Sequence, residues 1–147
     1  MAELSVLEQE STFIRFRHHE NGVYEFIFLQ ATQAAVDHFF TMMAAWIEQQ
    51  EAEGLTHTDT VRLIVDFRVA GTPAMNYVHQ CSKNLLQKYP PVLRPRSRCA
   101  TLLQHSFLIP LANAYNSLLP IRSDDRIRIF SGEKAQDVAI GWVLKDD

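Results

Sequence analysis

Cysteine is scarce in this sequence, and its scarcity excludes two ways of stabilising a protein. The 147 residues contain only two cysteines, Cys81 and Cys99, which cannot make a disulfide framework. Neither cysteine has a second cysteine or a histidine at the spacing of metal ligands, so we expect no metal. We therefore expect two free thiols in a reducing, cytoplasmic compartment, and no sequence pattern here predicts a cofactor.

Long apolar runs are also missing. The longest apolar-rich stretches are interrupted by charge or proline well before the ~20 residues that a membrane-spanning helix needs, so we expect no integral membrane segment. The first residues, "MAELSVLEQESTF", contain acids and no basic region ahead of an apolar core. This pattern is unlike that of a secretory signal peptide.

An excess of positive charge is missing as well. The chain has 14 basic and 17 acidic residues, which give a formal net charge of −3. This balance provides no electrostatic reason to expect nucleic acid or an anionic membrane as a partner. The sequence "RPRSR" at 94–98 is a local basic patch, and we interpret it as part of a solvated connection between a helix and a strand.

The residues that are present predict one folded α/β domain, 1–147. Hydrophobic residues make up 47% and aromatic residues 10% of the chain, which is ordinary globular composition. Strands are predicted at 12–19, 23–30, 60–67, 99–104 and 126–130, and helices within 31–54, 74–89, 105–120 and 131–147. The order β-β-α-β-α-β-α-β-α implies a mixed, mostly parallel sheet with an N-terminal hairpin and about four helices packed on it.

Turn and cap residues delimit the first elements. The step Asn21-Gly22 supplies the positive φ angles that a tight hairpin turn needs. Thr32 is the predicted N-cap of the first helix and Gly54 its predicted stop signal. This helix is apolar over much of its girth, so it should lie flat on the sheet.

Two helices have apolar faces with further consequences. The first helix has an aromatic and methionine stripe that suits core packing, an apolar ligand pocket or a homodimer contact: Phe39, Phe40, Met42, Met43 and Trp46. The last helix is predicted to be capped by Ser131. Its predicted buried face is Ala135, Val138, Ala139 and Trp142.

Four stretches together resemble a known family. They are the hairpin "FIRFRHHENGVYEFIFLQ", the strand and turn "VRLIVDFRVAG", "RCATLLQ" before a helix, and the ending "RIRIFSGEKAQDVAIGWVLKDD". In combination they look like the SpoIIAA-like branch of the STAS domains (sulfate transporter and anti-sigma-factor antagonist). The resemblance implies a small cytoplasmic α/β domain that works by binding and regulation rather than turnover.

The resemblance also bears on a phosphorylation switch. Classical STAS antagonists have a phosphorylatable serine at the start of the helix that follows a "D-x-S" strand end. Asp66 matches the acid, Arg68 stands where the following serine would be, and Thr72 is the nearest hydroxyl. The family's "D-S-S-G" is absent, since this chain reads "AGTPAM", and this departure argues against phospho-switching.

Polar residues follow three predicted strands and should meet at one edge of the sheet. Ligands of open parallel sheets usually bind at the carboxyl ends of the strands, where helix N-termini favour a small anion. The residues concerned are Asp66, Arg68 and Thr72 after one strand, Gln104, His105 and Ser106 after the next, and Ser131 after the last.

Each candidate also has a structural role that competes with binding. Thr72 precedes Pro73, the pattern of an N-cap followed by proline at the first helical position. Asp66 is expected to accept N–H groups of its own turn, and Arg68 to pair with Asp66 or an exposed acid. His105 suits either anion contact or a surface or capping role, and Ser106 is the predicted cap of the next helix.

We expect a non-enzymatic regulatory or ligand-sensing module that acts by protein association. Its predicted binding residues, for a protein partner or a small ligand, are Asp66, Arg68, Thr72, His105 and Ser106. The alternative is a carrier of a small apolar, lipid-like molecule between the first helix and the sheet. A small hydrolase comes third, because the sequence has no "G-x-S-x-G" elbow, Cys–His motif or paired carboxylates. None of the six histidines has a partner at ligand spacing, which again predicts no metal.

Overall fold

Six strands and four helices make up the part of the chain that the computed structural model describes, residues 5–55, 59–90 and 94–145, with side chains from residue 9 onward. His57 lies outside it. The strands are β1 (Ser5–Glu10), β2 (Ile14–His19), β3 (Tyr24–Phe28), β4 (Thr60–Asp66), β5 (Arg96–Leu103) and β6 (Arg126–Ser131). The helices are α1 (Gln33–Ala52), α2 (Met75–Lys88), α3 (Ile109–Asn116) and α4 (Ala135–Val143), with a 3₁₀ turn at Ser106–Leu108 before α3.

All six strands form one sheet whose spatial order is the chain order, β1 to β6. Pairing is antiparallel from β1 to β3 and parallel from β3 to β6. Each parallel crossover moves one strand in the same direction, so right-handed connections place α1, α2 and α3 on the same face. Helix α4 follows the last strand and packs on β4, β5 and β6, on the opposite face. The predicted mixed, mostly parallel sheet with an N-terminal hairpin and four helices is confirmed.

Each face of the sheet has its own core. On the three-helix face, Phe26, Phe28 and Leu63 pack with Val36 and Phe39 of α1. The α4 face buries another set of side chains: Val23, Ile64, Ala100, Leu102, Phe130, Ala135, Ala139 and Val143. Because β4 is covered on both sides, its apolar run is nearly continuous, as the sequence predicted.

Turn and cap residues act largely as predicted. The hairpin closes with His19 N–H donating to Val23 O at 2.9 Å, and in this three-residue turn only Gly22 adopts a positive φ, of 90°. Thr32 Oγ1 accepts from Ala35 N–H at 3.2 Å, which caps α1. Gly54 follows the helix with φ of 91°, a conformation that glycine adopts at low cost.

Strand β1 was not predicted. It pairs antiparallel with β2 as an edge strand. Its sequence, "SVLEQE", has few β-branched or aromatic residues, so local propensity gave no strand signal. Pairing with the next strand overrides that local preference.

The interpretation of "RPRSR" as a solvated loop is wrong for its described residues. Strand β5 begins at Arg96, three residues before the predicted start, and pairs with both neighbours. Arg94 is buried and bonds Asp125 at 3.0 Å. Arg98 is buried, with its guanidinium 4.1 Å from the centre of the Trp142 ring. Ion pairing and cation–π contact make these arginines part of the packed structure.

Helix α4 differs from its prediction at its start and in its buried face. The helix begins at Ala135 with Lys134 at the N-cap and, within the described residues, no side chain bonds that end, so Ser131 is not its cap. Ala135, Ala139 and Val143 face the sheet at a spacing of four residues, whereas Val138 is 55% exposed.

No helix within the described residues is long and apolar enough to cross a bilayer.

Candidate functional site

Asp66 and Arg68 form a closed ion pair at the carboxyl end of β4. Arg68 Nε and Nη2 each lie 3.0 Å from a different oxygen of the Asp66 carboxylate, and Arg68 N–H donates to Asp66 Oδ1 at 2.9 Å. Asp66 is only 3% exposed. The side-chain hydrogen bonding to Asp66 raises the pKa of Arg68. Asp66 accepts an N–H group of its own turn and Arg68 pairs with Asp66, so both predicted roles are confirmed. The guanidinium already donates two hydrogen bonds to the carboxylate, through Nε and Nη2.

The same edge brings three strand ends together, and we call it the rim (Asp66 to Val69, Gln104 to Phe107, and Gly132). Gln104 Nε2 donates to Arg68 O at 2.7 Å, and Arg68 Nη1 lies 3.5 Å from Gly132 O. His105 is exposed and stacks on Phe107 with ring centres 5.4 Å apart. The prediction that Arg68 and His105 meet at one edge is confirmed.

Two predicted caps at this edge are wrong. Ser106 is the first residue of the 3₁₀ turn, and neither that turn nor α3 has a side-chain cap within the described residues. Thr72 does not cap α2, because the helix starts at Met75 with Ala74 at the N-cap. Pro73 is buried and Ala74 has a non-helical ψ of 114°, so the helix begins two residues later than the Thr-Pro pattern indicates.

Thr72 instead lies on the wall of a cavity of about 240 Å³ between the sheet and the three helices α1, α2 and α3. Most of the cavity lining is apolar. The cavity runs from the loop before α2 to the start of β5. Representative lining residues are Phe28, Phe39, Phe40, Met43, Trp46, Val65, Met75, Val78, Leu85, Cys99, Leu103, Ala112 and Ile129. The stripe of α1 that the sequence singled out therefore contributes to this wall and to the core.

The polar groups of the cavity differ between its two ends. Near the start of β5, Asp125 accepts from Arg94, from Ser97 N–H and from Arg122 N–H at 2.9 to 3.0 Å. Near the start of α2, Thr72 Oγ1 and His79 Nδ1 are buried and have no hydrogen-bond partner among the described residues. Trp46 Nε1, on the α1 wall, is a third buried polar atom of the lining without such a partner. The Asp125 cluster is therefore paired internally, whereas the wall at Thr72, His79 and Trp46 has unused hydrogen-bonding capacity.

A buried carboxylate on the α4 face was missed in the sequence. Glu25, in β3, is 0% exposed. His19 Nε2 lies 2.9 Å from its Oε1, and Gln136 Nε2 donates to its Oε2 at 2.8 Å. Arg17 lies at 3.8 Å. The signal was present, since Glu25 is the one charge within the apolar strand "YEFIF", and a charge there needs partners.

Both cysteines are free, as predicted. Cys99 lines the cavity, and desolvation raises the pKa of its thiol to about 12. Burial also raises the pKa of Cys81. Neither thiol is activated toward nucleophilic chemistry, because a reactive cysteine needs a lowered pKa.

Within the described ranges, no three side chains of the metal-ligating types gather in an arrangement that could hold an ion.

Comparison with models of protein families, with curated proteins and with solved structures found no match to this chain.

Proposed function

We propose that this chain is a non-enzymatic, ligand-sensing module that holds a small apolar molecule between the sheet and helices α1 to α3. The observation that supports it is the cavity of about 240 Å³ with a mostly apolar wall. A dry cavity of ~150 Å³ already binds benzene in a protein core. This proposal develops the carrier alternative, with the pocket now extended beneath α2 and α3.

The size of the cavity limits its occupant. It is below the ~300 to 1,000 Å³ of sites for drug-sized ligands. Scaling from benzene in ~150 Å³ gives room for about ten non-hydrogen atoms. The ligand class is therefore a single substituted ring or a short acyl chain.

The packing of the outer wall supports exchange of a ligand. Neither α2 nor α3 has a fully buried residue, although Met75, Val78 and Leu85 of α2 line the cavity. By contrast, α1 buries six residues. A wall that buries little of its own surface can move at lower cost than a fully packed one, so α2 and α3 are the natural entry side.

Tryptophan fluorescence tests this proposal, because Trp46 lines the cavity whereas Trp142 packs on the other face. We expect bromobenzene, a heavy-atom quencher of benzene size, to quench the wild-type chain and the Trp142→Phe variant saturably. The matched Trp46→Phe variant should show only linear, collisional quenching. Native mass spectrometry of the purified chain should also show an adduct of small-ligand mass. Linear quenching in all three proteins, together with a clean apo mass, would contradict the proposal.

A second proposal is association of STAS type at the rim, with a protein partner or a second copy of the chain. It is supported by two large apolar side chains that flank the Asp66–Arg68 pair in adjoining loops: Val69 is 65% and Phe107 is 74% exposed. We propose that this association takes place in the cytoplasm, which the two free thiols support. Of the residues predicted for it, Asp66, Arg68, His105 and Ser106 belong to the rim, whereas Thr72 lines the cavity.

Paired surface variants test the rim. Val69→Ser and Phe107→Ser change exposed side chains, so the free energy of unfolding should stay within about 0.5 kcal/mol of wild type. Sedimentation of the wild-type chain detects a homodimer, and affinity capture detects another protein. We expect either association to be lost in the double variant and kept in a Leu118→Ser control, since Leu118 is equally exposed at 68% but lies at the C-terminal end of α3. Equal association of all three proteins would contradict the rim.

A further inference from the structure

We infer that the cavity takes an amphiphile with an apolar body and one carboxylate, which binds at the end next to α2. This inference rests on the proposed cavity function and adds the chemistry of the ligand's polar end. Its basis is two of the three buried polar atoms that have no partner among the described residues, Thr72 Oγ1 and His79 Nδ1; the third, Trp46 Nε1, lies on the α1 wall. Both residues line the cavity.

The position of these two atoms selects one end of the cavity. At the other end, Asp125 already accepts hydrogen bonds from the Arg94 side chain and from two backbone N–H groups. A ligand that bonded to these groups would have to break those hydrogen bonds. At the α2 end a ligand only adds hydrogen bonds. A buried polar atom without a partner costs about 1–3 kcal/mol, and a ligand oxygen that meets it recovers that free energy on binding.

The electrostatic setting of that end favours negative charge. Helix α2 has no side-chain N-cap within the described residues, although the N–H groups of Tyr77 and Val78 already donate to Ala74 O. The helix dipole is positive at this terminus. The Thr72 hydroxyl can donate a hydrogen bond to a ligand oxygen, and His79 can donate one from Nδ1 in the tautomer that carries the proton there. Among the described lining residues the only acid is Asp125, which belongs to the opposite end and is paired with Arg94.

Size and polarity together give the class of ligand. About ten non-hydrogen atoms fill the cavity by the scaling given above, and octanoic acid has this many atoms with a single carboxyl group. Octanoate is therefore the probe, and 1-octanol is its neutral counterpart of nearly equal length. Both can fill the apolar part, and only octanoate brings the negative charge.

Isothermal titration calorimetry of the full chain at pH 7 tests the inference with two wall variants. We expect octanoate to bind at least about tenfold more tightly than 1-octanol, because hydrogen bonds to a charged group contribute more than neutral ones. Thr72→Val should weaken octanoate about tenfold. The matched control is Ser82→Ala, since Ser82 also lines the cavity but its hydroxyl already donates to Val78 O at 2.8 Å; it should bind octanoate within twofold of wild type.

The outcomes separate this inference from the proposal beneath it. If 1-octanol binds as tightly as octanoate and Thr72→Val behaves as wild type, the carboxylate end is refuted while apolar binding stands. If Thr72→Val and Ser82→Ala weaken octanoate equally, the unpaired hydroxyl has no special role and the inference also fails. If neither probe binds and bromobenzene does not quench Trp46 saturably, the cavity function fails with it.

Discussion

Replacing Thr72 by valine should stabilise the ligand-free protein. Valine keeps the branched shape of threonine and removes only the hydroxyl. That hydroxyl is buried on the cavity wall without a hydrogen-bond partner among the described residues. The unfolded chain hydrates it fully, so folding incurs a desolvation cost that the variant avoids.

The magnitude follows from the cost of an unmade hydrogen bond. A buried donor or acceptor without a partner costs about 1–3 kcal/mol, and replacing the group by an apolar one of the same shape removes most of it. We expect a gain of about 1–2 kcal/mol in the free energy of unfolding. For a chain of this length, that corresponds to a rise in Tm of about 3–6 °C. An N-cap threonine would give the opposite sign, a loss of about 1 kcal/mol.

The assay is urea unfolding of wild type and two matched threonine variants. Thr32→Val is the control, because Thr32 Oγ1 does cap α1 by accepting from Ala35 N–H, and it should lose about 1 kcal/mol. The two substitutions are chemically identical and should shift the midpoint in opposite directions. A Thr72→Val chain that is destabilised as much as Thr32→Val would refute the reasoning, since it would show that the Thr72 hydroxyl is satisfied in the folded state.

Two further predictions concern the buried carboxylate and the buried thiol. Glu25→Ala should cost about 3–5 kcal/mol in urea unfolding because His19 and Gln136 lose their acceptor, and Glu25→Gln should cost less; a loss below 1 kcal/mol for the alanine variant would contradict this. The pKa of Cys99 is raised from 9.0 to about 12, so only the unfolded chain ionises this thiol between those values and stability falls as pH rises. Between pH 9 and 11 the wild type should lose about 2 kcal/mol more than Cys99→Val, and parallel pH profiles would contradict this.

The sheet and the rim could be predicted because both follow from periodicity and chain order. Parallel strands that alternate with helices place all their carboxyl ends at one edge. That rule alone predicts that Arg68 and His105 lie at the same edge of the sheet. The pairing of Asp66 with Arg68 is also local, since the two residues are separated by one position in a tight turn.

The cavity could not be predicted because it depends on how far α2 and α3 stand from the sheet. Apolar spacing shows that Met75 and Val78 face inward, but it gives no distance to the strands. Thr72 illustrates the difficulty: Thr-Pro is a good local cap signal, yet Pro73 is buried and the helix begins only at Met75. The environment of Glu25 was missed for a related reason, since its partners come from two separate elements. His19 belongs to β2, and Gln136 belongs to α4, 111 residues away along the chain.

The cavity and the rim share one loop, and this connects the two proposed activities. The segment 67–74 begins at Phe67, whose N–H donates to Leu102 O, and turns at Gly71, with φ of 93°. Arg68 and Val69 face the rim, whereas Thr72 faces the cavity three residues later. Gln104 Nε2 donates a hydrogen bond to Arg68 O at 2.7 Å, so this loop is bonded to the rest of the rim. A ligand that binds Thr72 and shifts it therefore also shifts the rim residues of the same loop. Association at Phe107 should therefore change in strength when octanoate is added to wild type, and should not change in Thr72→Val. Equal association with and without octanoate would show that the two surfaces work independently.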